Sequence, residues 1–350
     1  MREVARQAGV SRTTVSMVLN NSPVLSDKTR AKVLRIVKRL HYVPDPVFQR
    51  AFRRRGTAGR LVSSTVNPTR TIGFYTSEKI YRQACHDDGY YHLVFSGIQR
   101  AIAAHKYFLT IQGLKTDDLQ LPDIVSENRV EGLIVEGTFP RLVLDLIAQR
   151  MPLVLIDRIY DGLAADSVLP NVEQAVREQL DYLAGLGHHD VVIFQPDVKS
   201  WQVVHYLRAF REYCAGKDMA MAQTELCRPR DISPESHGTV MKEYARSLAE
   251  ASPRPTAIMT FDVYACSLIE ELQGLGLRVP QDISVLGMDD VEQARATVPQ
   301  LTSYRFPMEE LGSSAVDLLI SRIQNPKQAL RQVFVNGKLV ERGSALLRRP

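Results

Sequence analysis

Residues 9–20 read Gly9-Val10-Ser11-Arg12-Thr13-Thr14-Val15-Ser16-Met17-Val18-Leu19-Asn20, and this stretch decides the fold that the sequence predicts. Before it, Val4, Ala5 and Ala8 share one face of a short helix. Gly9 is suited to end that helix, because glycine readily adopts the left-handed conformation of a tight turn. Ser11 is a good N-cap, and the apolar residues after it recur at helical spacing. The pattern predicts a helix-turn-helix, although a small helical hairpin in an ordinary domain would give the same spacing.

Charge is distributed unevenly along the chain. The 350 residues carry a formal net charge of +5. Residues 1–60 contain fourteen lysines and arginines against three acids, a net of +11, so the remainder carries −6. A basic end on an acidic body is expected when one end of a protein meets a polyanion such as DNA.

The basic region extends beyond the quoted stretch. Ser26 is a second N-cap candidate, and a third amphipathic helix is predicted from the spacing of Val33, Ile36, Val37 and Leu40. Asp45-Pro46 predicts the start of a short basic helix, because aspartate caps free amides and proline is tolerated at the first helical position. Residues 56–70 contain glycine, serine and proline in the pattern of a linker.

From Thr71 onward, short apolar strands alternate with amphipathic helices. Strands are predicted over residues 71–75, 108–111, 132–135, 153–156, 190–194, 257–260 and 283–287, and helices over 93–105, 141–150, 172–186, 203–215, 238–251 and 263–275. This alternation predicts parallel sheets covered by helices on both faces. The region is about twice the size of one such unit, so we expect two doubly wound subdomains with a ligand cleft at the carboxyl ends of their strands.

The predicted organisation is a small all-α helix-turn-helix domain followed by an α/β body. Residues 1–44 form the first domain, residues 45–70 the hinge helix and linker, and residues 71–350 the body. Within the body we assign about 71–160 plus 302–330 to an N-subdomain and about 161–301 plus 331–350 to a C-subdomain.

Cysteine usage and hydropathy narrow the class of protein further. Cys85, Cys214, Cys227 and Cys266 are far apart and form no CxxC pair, which argues against a zinc knuckle or a disulfide framework. Apolar runs stay short of the roughly 18 residues of a membrane span, and charges stand near the N-terminus where a signal peptide needs an apolar core. We therefore expect a cytoplasmic protein.

Motifs along nearly the whole chain carry a family resemblance. In the N-terminal part they are Val4-Ala5, Ala8-Gly9-Val10-Ser11, Thr14-Val15-Ser16, Val18-Leu19-Asn20, Tyr42 and Pro44. In the body they are Asp157-Arg158, Leu186-Gly187-His188, residues 254–258, residues 277–280, residues 283–290, Leu301-Thr302 and Arg342-Gly343. With these motifs the sequence resembles the lactose-repressor/galactose-repressor (LacI/GalR) family of bacterial transcription regulators.

The resemblance implies a three-helix DNA-binding domain joined through a hinge helix to a periplasmic-binding-protein-like body. Such proteins bind pseudo-palindromic operators as dimers, and the two subdomains of the body close on a small effector, often a sugar. The implied function is a DNA-binding transcriptional repressor, with operator DNA, a small-molecule effector and a second copy of the chain as partners, and with neither cofactor nor metal. The alternative is a solute-binding receptor, which shares the body fold.

DNA-contacting residues are carried over from the family by position. Arg12, Thr13 and Met17 would read bases, while Ser11, Thr14, Ser16 and Asn20 would contact the backbone or support the turn. Position 17 is commonly arginine in the family, so its methionine predicts a different operator preference. In the hinge, Phe48 and Arg50 are further candidate DNA contacts, with packing between dimer partners as the alternative for Phe48.

Effector-contacting residues follow from the same resemblance. Asp157, Arg158, Asp262 and Asp289 fall at or beside positions where relatives place pocket residues, and aromatic residues near Tyr90 and Tyr91 stack on ligands there. Two positions depart from the family. Tyr206 stands where arginine is frequent, and Phe261 stands where asparagine is expected. The pocket thus exchanges polar sugar-binding groups for aromatic surface, which argues against a simple monosaccharide, while core packing is the alternative for each aromatic residue.

Other clusters of histidine, cysteine and aspartate in the sequence do not form a recognisable metal-binding or catalytic motif. His188-His189-Asp190 lies at a predicted helix end and is better explained by helix-end capping than by metal binding. Cys85-His86-Asp87-Asp88 has no second cluster at ligand spacing, and Asp289-Asp290 has no partner motif that defines a reaction. The sequence contains no glycine-rich phosphate loop. We therefore predict that the protein is not an enzyme.

Overall fold

The computed structural model describes residues 2–11, 14–15, 18, 26–39, 69–77, 90–114, 121–195, 201–217 and 236–348. The chain divides between Asn67 and Pro68 into an N-terminal unit and a larger body. The predicted hinge helix and linker, residues 45–70, lie outside the described residues apart from Thr69 and Arg70.

The N-terminal unit is helical around a small apolar core. Helix α1 spans Arg2–Ala8 and helix α2 spans Asp27–Arg39, with Thr14, Val15 and Val18 helical between them. The core side chains are Val4, Ala5, Ala8, Val15, Val18, Val33 and Ile36. These are residues that the periodicity placed on the inner faces of three helices.

Two local predictions in this unit are confirmed. Gly9 has a φ of 60°, and the Val10 N–H donates to the Ala5 carbonyl at 3.1 Å, so the chain leaves α1 through a left-handed glycine. The Thr14 N–H donates to Ser11 Oγ at 3.0 Å, which is the bond an N-cap serine accepts.

The described residues of the body form two sheets. The first has six strands in the order β10-β5-β4-β3-β1-β2, all paired in parallel. Its strands are β1 Thr71–Ser77, β2 Phe108–Leu114, β3 Gly132–Glu136, β4 Leu153–Ile156, β5 Asp166–Pro170 and β10 Gln332–Val335. The second has five strands in the order β11-β9-β8-β7-β6, with β11 antiparallel to β9. Its strands are β6 Val191–Ile193, β7 Ala257–Met259, β8 Ser284–Met288, β9 Thr302–Arg305 and β11 Lys338–Val340.

Helices connect and cover these strands. They are α3 Tyr90–Ala104, α4 Asp123–Ser126, α5 Arg141–Ala148, α6 Val172–Gly185, α7 Trp201–Lys217, α8 His237–Glu250, α9 Asp262–Gly274, α10 Gln293–Ala296 and α11 Met308–Gln324. The central strands are buried along their whole length, as expected for sheets covered on both faces. The predicted α/β body is confirmed. Within the described residues, no helix is long and apolar enough to span a membrane.

The division between the two lobes differs from the predicted one. We call the part built on the first sheet the first lobe and the part built on the second sheet the second lobe. Strands β5 and β10 pair in the first sheet, although both were assigned to the C-subdomain, and β9 pairs in the second sheet, although it was assigned to the N-subdomain. The pattern missed these strands because they are short and carry polar residues whose partners are distant in sequence.

The chain passes between the sheets near the cleft. Within the described residues this happens after β5, after β9 and after β10. The Asn171 Nδ2–H donates to Asn336 Oδ1 at 2.9 Å, and the Asn171 N–H donates to the Val335 carbonyl at 2.9 Å. Two of the crossing segments are therefore hydrogen-bonded to each other, which aligns the ends of the two sheets.

Candidate functional site

The carboxyl ends of the parallel strands in both lobes surround a cavity of about 240 Å³. Its lining residues are Tyr91, Asp157, Pro170, Val172, Gln202, Phe261, Met288, Asp289, Phe306 and Met308. Ligands of open α/β sheets bind at this edge, because loops there leave the strands in different directions and form a crevice. The cavity lies where the sequence predicted a cleft.

Asp157 and Asp289 occupy equivalent positions in the two lobes. Asp157 follows β4, and its N–H donates to the Val168 carbonyl on the adjacent strand at 2.8 Å. Asp289 follows β8, and its N–H donates to the Tyr304 carbonyl on the adjacent strand at 2.9 Å.

Both aspartates have a positive φ, 61° for Asp157 and 104° for Asp289. Such a conformation costs about 1–3 kcal/mol in a non-glycine residue and persists where surrounding structure enforces it, often at binding sites. Each lobe thus presents to the same cavity one aspartate whose backbone is strained.

The carboxyl groups around the cavity are held in a poorly solvated environment. Burial raises the pKa of Asp289 to about 7. Burial raises the pKa of Glu136 to about 8, with a further contribution from the nearby Asp157. Burial, together with Glu136 and Asp157, also raises the pKa of Tyr91. Glu136 was not predicted from the sequence, because it ends an apolar strand and belongs to no motif.

Asp262 supports the cavity wall and is not among the residues that line the cavity. Its carboxylate accepts hydrogen bonds from Ser303 Oγ at 2.7 Å and from the Val291 N–H at 2.9 Å. It lies so close to Gly287 that a side chain at Gly287 would collide with it. Burial and the charge of Asp289 raise its pKa well above the usual range. The carboxylate therefore holds the loop that carries Asp289.

Asp290 has a different surrounding from its neighbour. Its buried carboxylate pairs with Arg305 at 2.5 Å, with Arg342 at 2.5 Å and with Arg295 at 3.4 Å. These bonds tie the β8 loop to β9 and to the C-terminal segment. The adjacent aspartates thus divide their roles, with Asp289 facing the cavity and Asp290 anchoring the loop.

Aromatic side chains form much of the remaining wall. Phe261 lines the cavity, and the fully buried Tyr206 stacks behind it with ring centroids 5.9 Å apart. Tyr206 and Arg158 are not among the lining residues, and the side chain of Tyr90 lies outside what the structure describes. Of the predicted effector contacts, the structure brings Tyr91, Asp157, Phe261 and Asp289 to the cavity.

Several lining residues come from segments that sequence motifs did not single out. Gln202 is in the first turn of α7, while Phe306 and Met308 come from the crossing after β9. Trp201, beside Gln202, stacks on His205 with centroids 4.0 Å apart and lies 6.5 Å from the ring of Phe334 on β10. Trp201 is the only tryptophan in the chain and contacts both lobes, so its fluorescence can report on the cleft.

His188 helps to cap its helix through its backbone, because its N–H donates to the Leu183 carbonyl at 2.9 Å. Gly187, with a φ of 78°, ends α6 through backbone bonds, and the His188 ring contacts Thr256 Oγ1 and the Leu346 carbonyl, each at 3.0 Å. The predicted capping role is therefore confirmed for the His188 backbone, while the His188 ring attaches the C-terminal segment to the second lobe. Among the described residues, no group of three or more histidine, cysteine or acidic side chains could hold a metal ion.

The candidate DNA-contacting residues are only partly described. Ser11 and Thr14 form the N-cap, with their hydroxyl oxygens 2.9 Å apart, and Lys32 and Arg35 are exposed on α2. The other predicted DNA contacts lie outside the described residues: Arg12, Thr13, Ser16, Met17, Asn20, Phe48 and Arg50.

Comparison with known proteins covers both parts of the chain. Residues 1–45 match the family described as bacterial regulatory proteins, lacI family, and residues 180–345 match the periplasmic binding protein-like domain. The ribose operon repressor of Haemophilus influenzae is 30% identical over 354 aligned residues, covering 98% of each chain. The transcriptional repressor PurR of Edwardsiella ictaluri is 30% identical, covering 98% of this chain and 96% of its own.

Solved structures resemble the fold over the same length. The regulator CelR in complex with cellobiose superposes with a TM-score of 0.66 at 22% identity, covering 98% of each chain. The Lac repressor dimer bound to operator and the anti-inducer ONPF gives a TM-score of 0.62 at 24% identity, also over 98% of each chain.

Proposed function

The chain belongs to the lacI family of bacterial regulatory proteins, and we propose that it represses transcription from an operator while a small molecule in the interlobe cavity controls its affinity for DNA. The protein is a sequence-specific DNA-binding transcriptional regulator with a helix-turn-helix domain and a periplasmic-binding-protein-like body. The observation that carries the proposed control is the cavity itself, to which each lobe contributes one carboxylate, Asp157 and Asp289.

The proposed mechanism couples closure of the cavity to DNA binding. A ligand that contacts both Asp157 and Asp289 bridges the lobes and stabilises one relative arrangement of them. The chain crossings near Asn171 and Asn336 are the segments about which the lobes would move. Control of DNA affinity requires that the effector bind the two arrangements with different affinity. In this mechanism, closure orders or releases the hinge helices predicted over residues 45–55.

The proposal also covers the oligomeric state, the cellular location and the absence of turnover. We propose that the protein acts as a dimer, in keeping with the Lac repressor dimer that it resembles in fold. We place its action in the cytoplasm, where its DNA lies. We also propose that it binds the effector without turnover, because Asp157 and Asp289 face a cavity in which the described residues offer neither a nucleophile paired with a base nor a metal site.

A mobility-shift titration of the full-length protein on its own upstream region tests the repressor function. We expect a discrete complex whose affinity falls steeply with salt, because the basic head displaces counterions from the phosphates. Absence of a discrete, salt-sensitive complex would overturn the proposal. A solute receptor would bind ligand in the cavity and leave the DNA unshifted.

The identity of the base-reading residues is tested with Met17→Arg. Arginine reads guanine through two hydrogen bonds, whereas methionine favours a thymine methyl group or a packing contact. We therefore expect a consensus selected from random duplexes to shift toward guanine at one position of each half-site. An unchanged consensus would exclude Met17 as a base reader.

A further inference from the structure

The polar part of the cavity lining is acidic. Asp157 and Asp289 contribute carboxylates from opposite lobes and Gln202 contributes an amide, while the other lining residues are apolar or aromatic. Among the described residues that line the cavity, none is lysine or arginine. Where both carboxyl groups are ionised, a bound anion would meet like charge on two sides, and the described lining residues supply no lysine or arginine to balance it.

The basic side chains that the structure describes near the cavity do not reverse this balance. Arg295, Arg305 and Arg342 pair with the buried Asp290, which anchors the loop behind the cavity. Arg158 is close enough to act on the charge of Tyr91 but is not among the lining residues. Among the described residues, four carboxyl groups lie at or just behind the wall beside this arginine: Glu136, Asp157, Asp262 and Asp289.

Glu136 is poorly compensated by its surroundings. Its side chain is only 4% exposed, and no hydrogen bond or ion pair reaches it from the described part of the chain. It is close enough to Asp157 for the two charges to interact, so a second, poorly solvated carboxyl group lies behind the one that lines the cavity. Burying a carboxyl group without a partner is costly, and a positive charge placed nearby removes much of that cost. The protein's own described residues do not supply that charge at the cavity surface.

The apolar wall suits the same type of ligand. Tyr91, Phe261 and Phe306 line the cavity and present aromatic surface. The face of an aromatic ring attracts a cation through its quadrupole and also packs against a flat or apolar frame. The cavity is smaller than the roughly 300 Å³ at the lower end of typical ligand pockets, so the ligand is small.

We propose that the effector is a small organic cation, with a protonated nitrogen held between Asp157 and Asp289 and an apolar or aromatic frame against Tyr91, Phe261 and Phe306. The inference rests on the proposed function, since it names the ligand class of the same cavity. It separates this protein from regulators whose effectors are anions or simple neutral sugars.

The test compares probes that share a frame and differ in charge. Tyramine, 4-ethylphenol and 3-(4-hydroxyphenyl)propionate form one set, and glucosamine, glucose and glucuronate form another. Binding to the full-length protein is followed by Trp201 fluorescence and by calorimetry. We expect the amine of at least one set to bind about tenfold or more tightly than its neutral and anionic partners. Equal binding within both sets, or no binding by either amine, overturns the inference.

Variants that remove one carboxylate test whether Asp157 and Asp289 cause the preference for the amine. Asp157→Asn and Asp289→Asn keep the side-chain shape, and each is expected to weaken amine binding about tenfold or more and to abolish the preference for the amine. Asp161→Asn is the matched control, because it removes one negative charge from an exposed position of the first lobe. Amine binding that survives in both cavity variants, or that falls equally in Asp161→Asn, contradicts the proposed site.

The pH dependence of amine binding tests the inference on the unmodified protein. Of the titratable and charged groups around the cavity, Asp157, Asp289 and Tyr91 line it, and Glu136, Asp262 and Arg158 lie behind the lining residues. Burial raises the pKa of Asp289 to about 7 and that of Glu136 to about 8. Tyramine stays protonated from about pH 6 to about pH 8, so its binding should strengthen over this range and release protons as these acids ionise. Calorimetry in buffers of different ionisation enthalpy counts the protons. Binding without pH dependence and without proton release overturns the inference.

These measurements distinguish a failure of the ligand inference from a failure of the proposed repressor function. Fluorescence and calorimetry require no DNA, so a protein that binds amines but shifts no operator retains the inference and loses the repressor function. A protein that releases its operator with a neutral or anionic ligand, and not with the amines, retains the repressor function and loses the inference.

Discussion

At the scale of single residues, Glu136 stands out because a carboxyl group ends a fully buried strand. Burial and Asp157 raise its pKa to about 8, against an ordinary value slightly above 4. The folded protein therefore keeps a proton that the unfolded chain releases, and this group makes the protein less stable as pH rises through the interval between the two pKa values. The loss is complete once the pH exceeds the folded pKa.

Glu136→Gln tests this linkage. The amide has nearly the same shape and never ionises, so the variant should gain stability relative to the native protein between about pH 5 and about pH 8. Each pKa unit is worth about 1.4 kcal/mol, so the gain is on the order of a few kcal/mol. Urea unfolding at the two pH values measures it. Glu250→Gln, at an exposed helix end, is the control, and equal pH dependence in both variants would contradict the linkage.

Gly287 tests the support of the Asp289 loop. A Cβ at this position would collide with the Asp262 carboxylate, which binds Ser303 and the Val291 N–H. Gly287→Ala should therefore lower the free energy of unfolding by about 1–3 kcal/mol through overpacking. Gly274→Ala, at the end of α9 with open space around it, should be neutral or slightly stabilising. Similar unfolding midpoints for the two variants would show that the loop accommodates a side chain.

At the scale of elements, the turn after α1 depends on one glycine. Gly9 has a φ of 60°, and a Cβ there would meet only Lys32 Nζ, at an ordinary contact distance of 3.8 Å. Gly9→Ala therefore costs only the left-handed conformation, about 1–2 kcal/mol. The small N-terminal domain has little stability to spare. We expect weaker operator binding in mobility shifts and unchanged ligand binding by Trp201 fluorescence. Gly238→Ala, in an open position on α8, should leave both unchanged, and unimpaired DNA binding by Gly9→Ala would argue against this turn geometry.

Local sequence signals predict most helices and strands, but not those that depend on distant partners. Apolar runs located strands such as β3 and β4, and helical spacing with capping residues located α1 and α2, because these signals are local. Strand β5 was missed because it begins at Asp166, whose carboxylate is bound by Arg322, 156 residues further along the chain. A polar residue satisfied by so distant a partner looks like a loop residue in the sequence.

Some residues of the candidate site were predicted from the sequence and others were not. Asp157, Asp289, Tyr91 and Phe261 were proposed from their positions in family motifs, and the structure brings them to one cavity. Gln202, Phe306 and Glu136 were missed, because their place at the cleft depends on how the crossings align the two sheets. Tyr206 was assigned to the ligand but packs behind Phe261, since the spacing that places it near the cleft does not determine which aromatic ring faces the cavity.

At the scale of the whole molecule, effector and operator bind to different parts of one chain, and their coupling must be reciprocal. If the effector lowers the affinity for operator by some factor, saturating operator must lower the affinity for effector by the same factor. Mobility shifts with and without ligand give the first factor, and Trp201 titrations with and without operator duplex give the second. Couplings of this kind typically amount to about 5-fold to about 150-fold, which both methods resolve.

A scrambled duplex of equal length at the same salt concentration is the control for this reciprocity. It engages the basic head without the specific contacts that select one arrangement of the protein, so it should change ligand affinity much less than the operator does. Equal effects of the two duplexes would mean that the ligand responds to bound polyanion, as an organic cation attracted to phosphate would, and not to a change between the lobes. Unequal factors for effector and operator would contradict a two-state coupling through closure, because thermodynamic linkage allows only one coupling free energy between two sites.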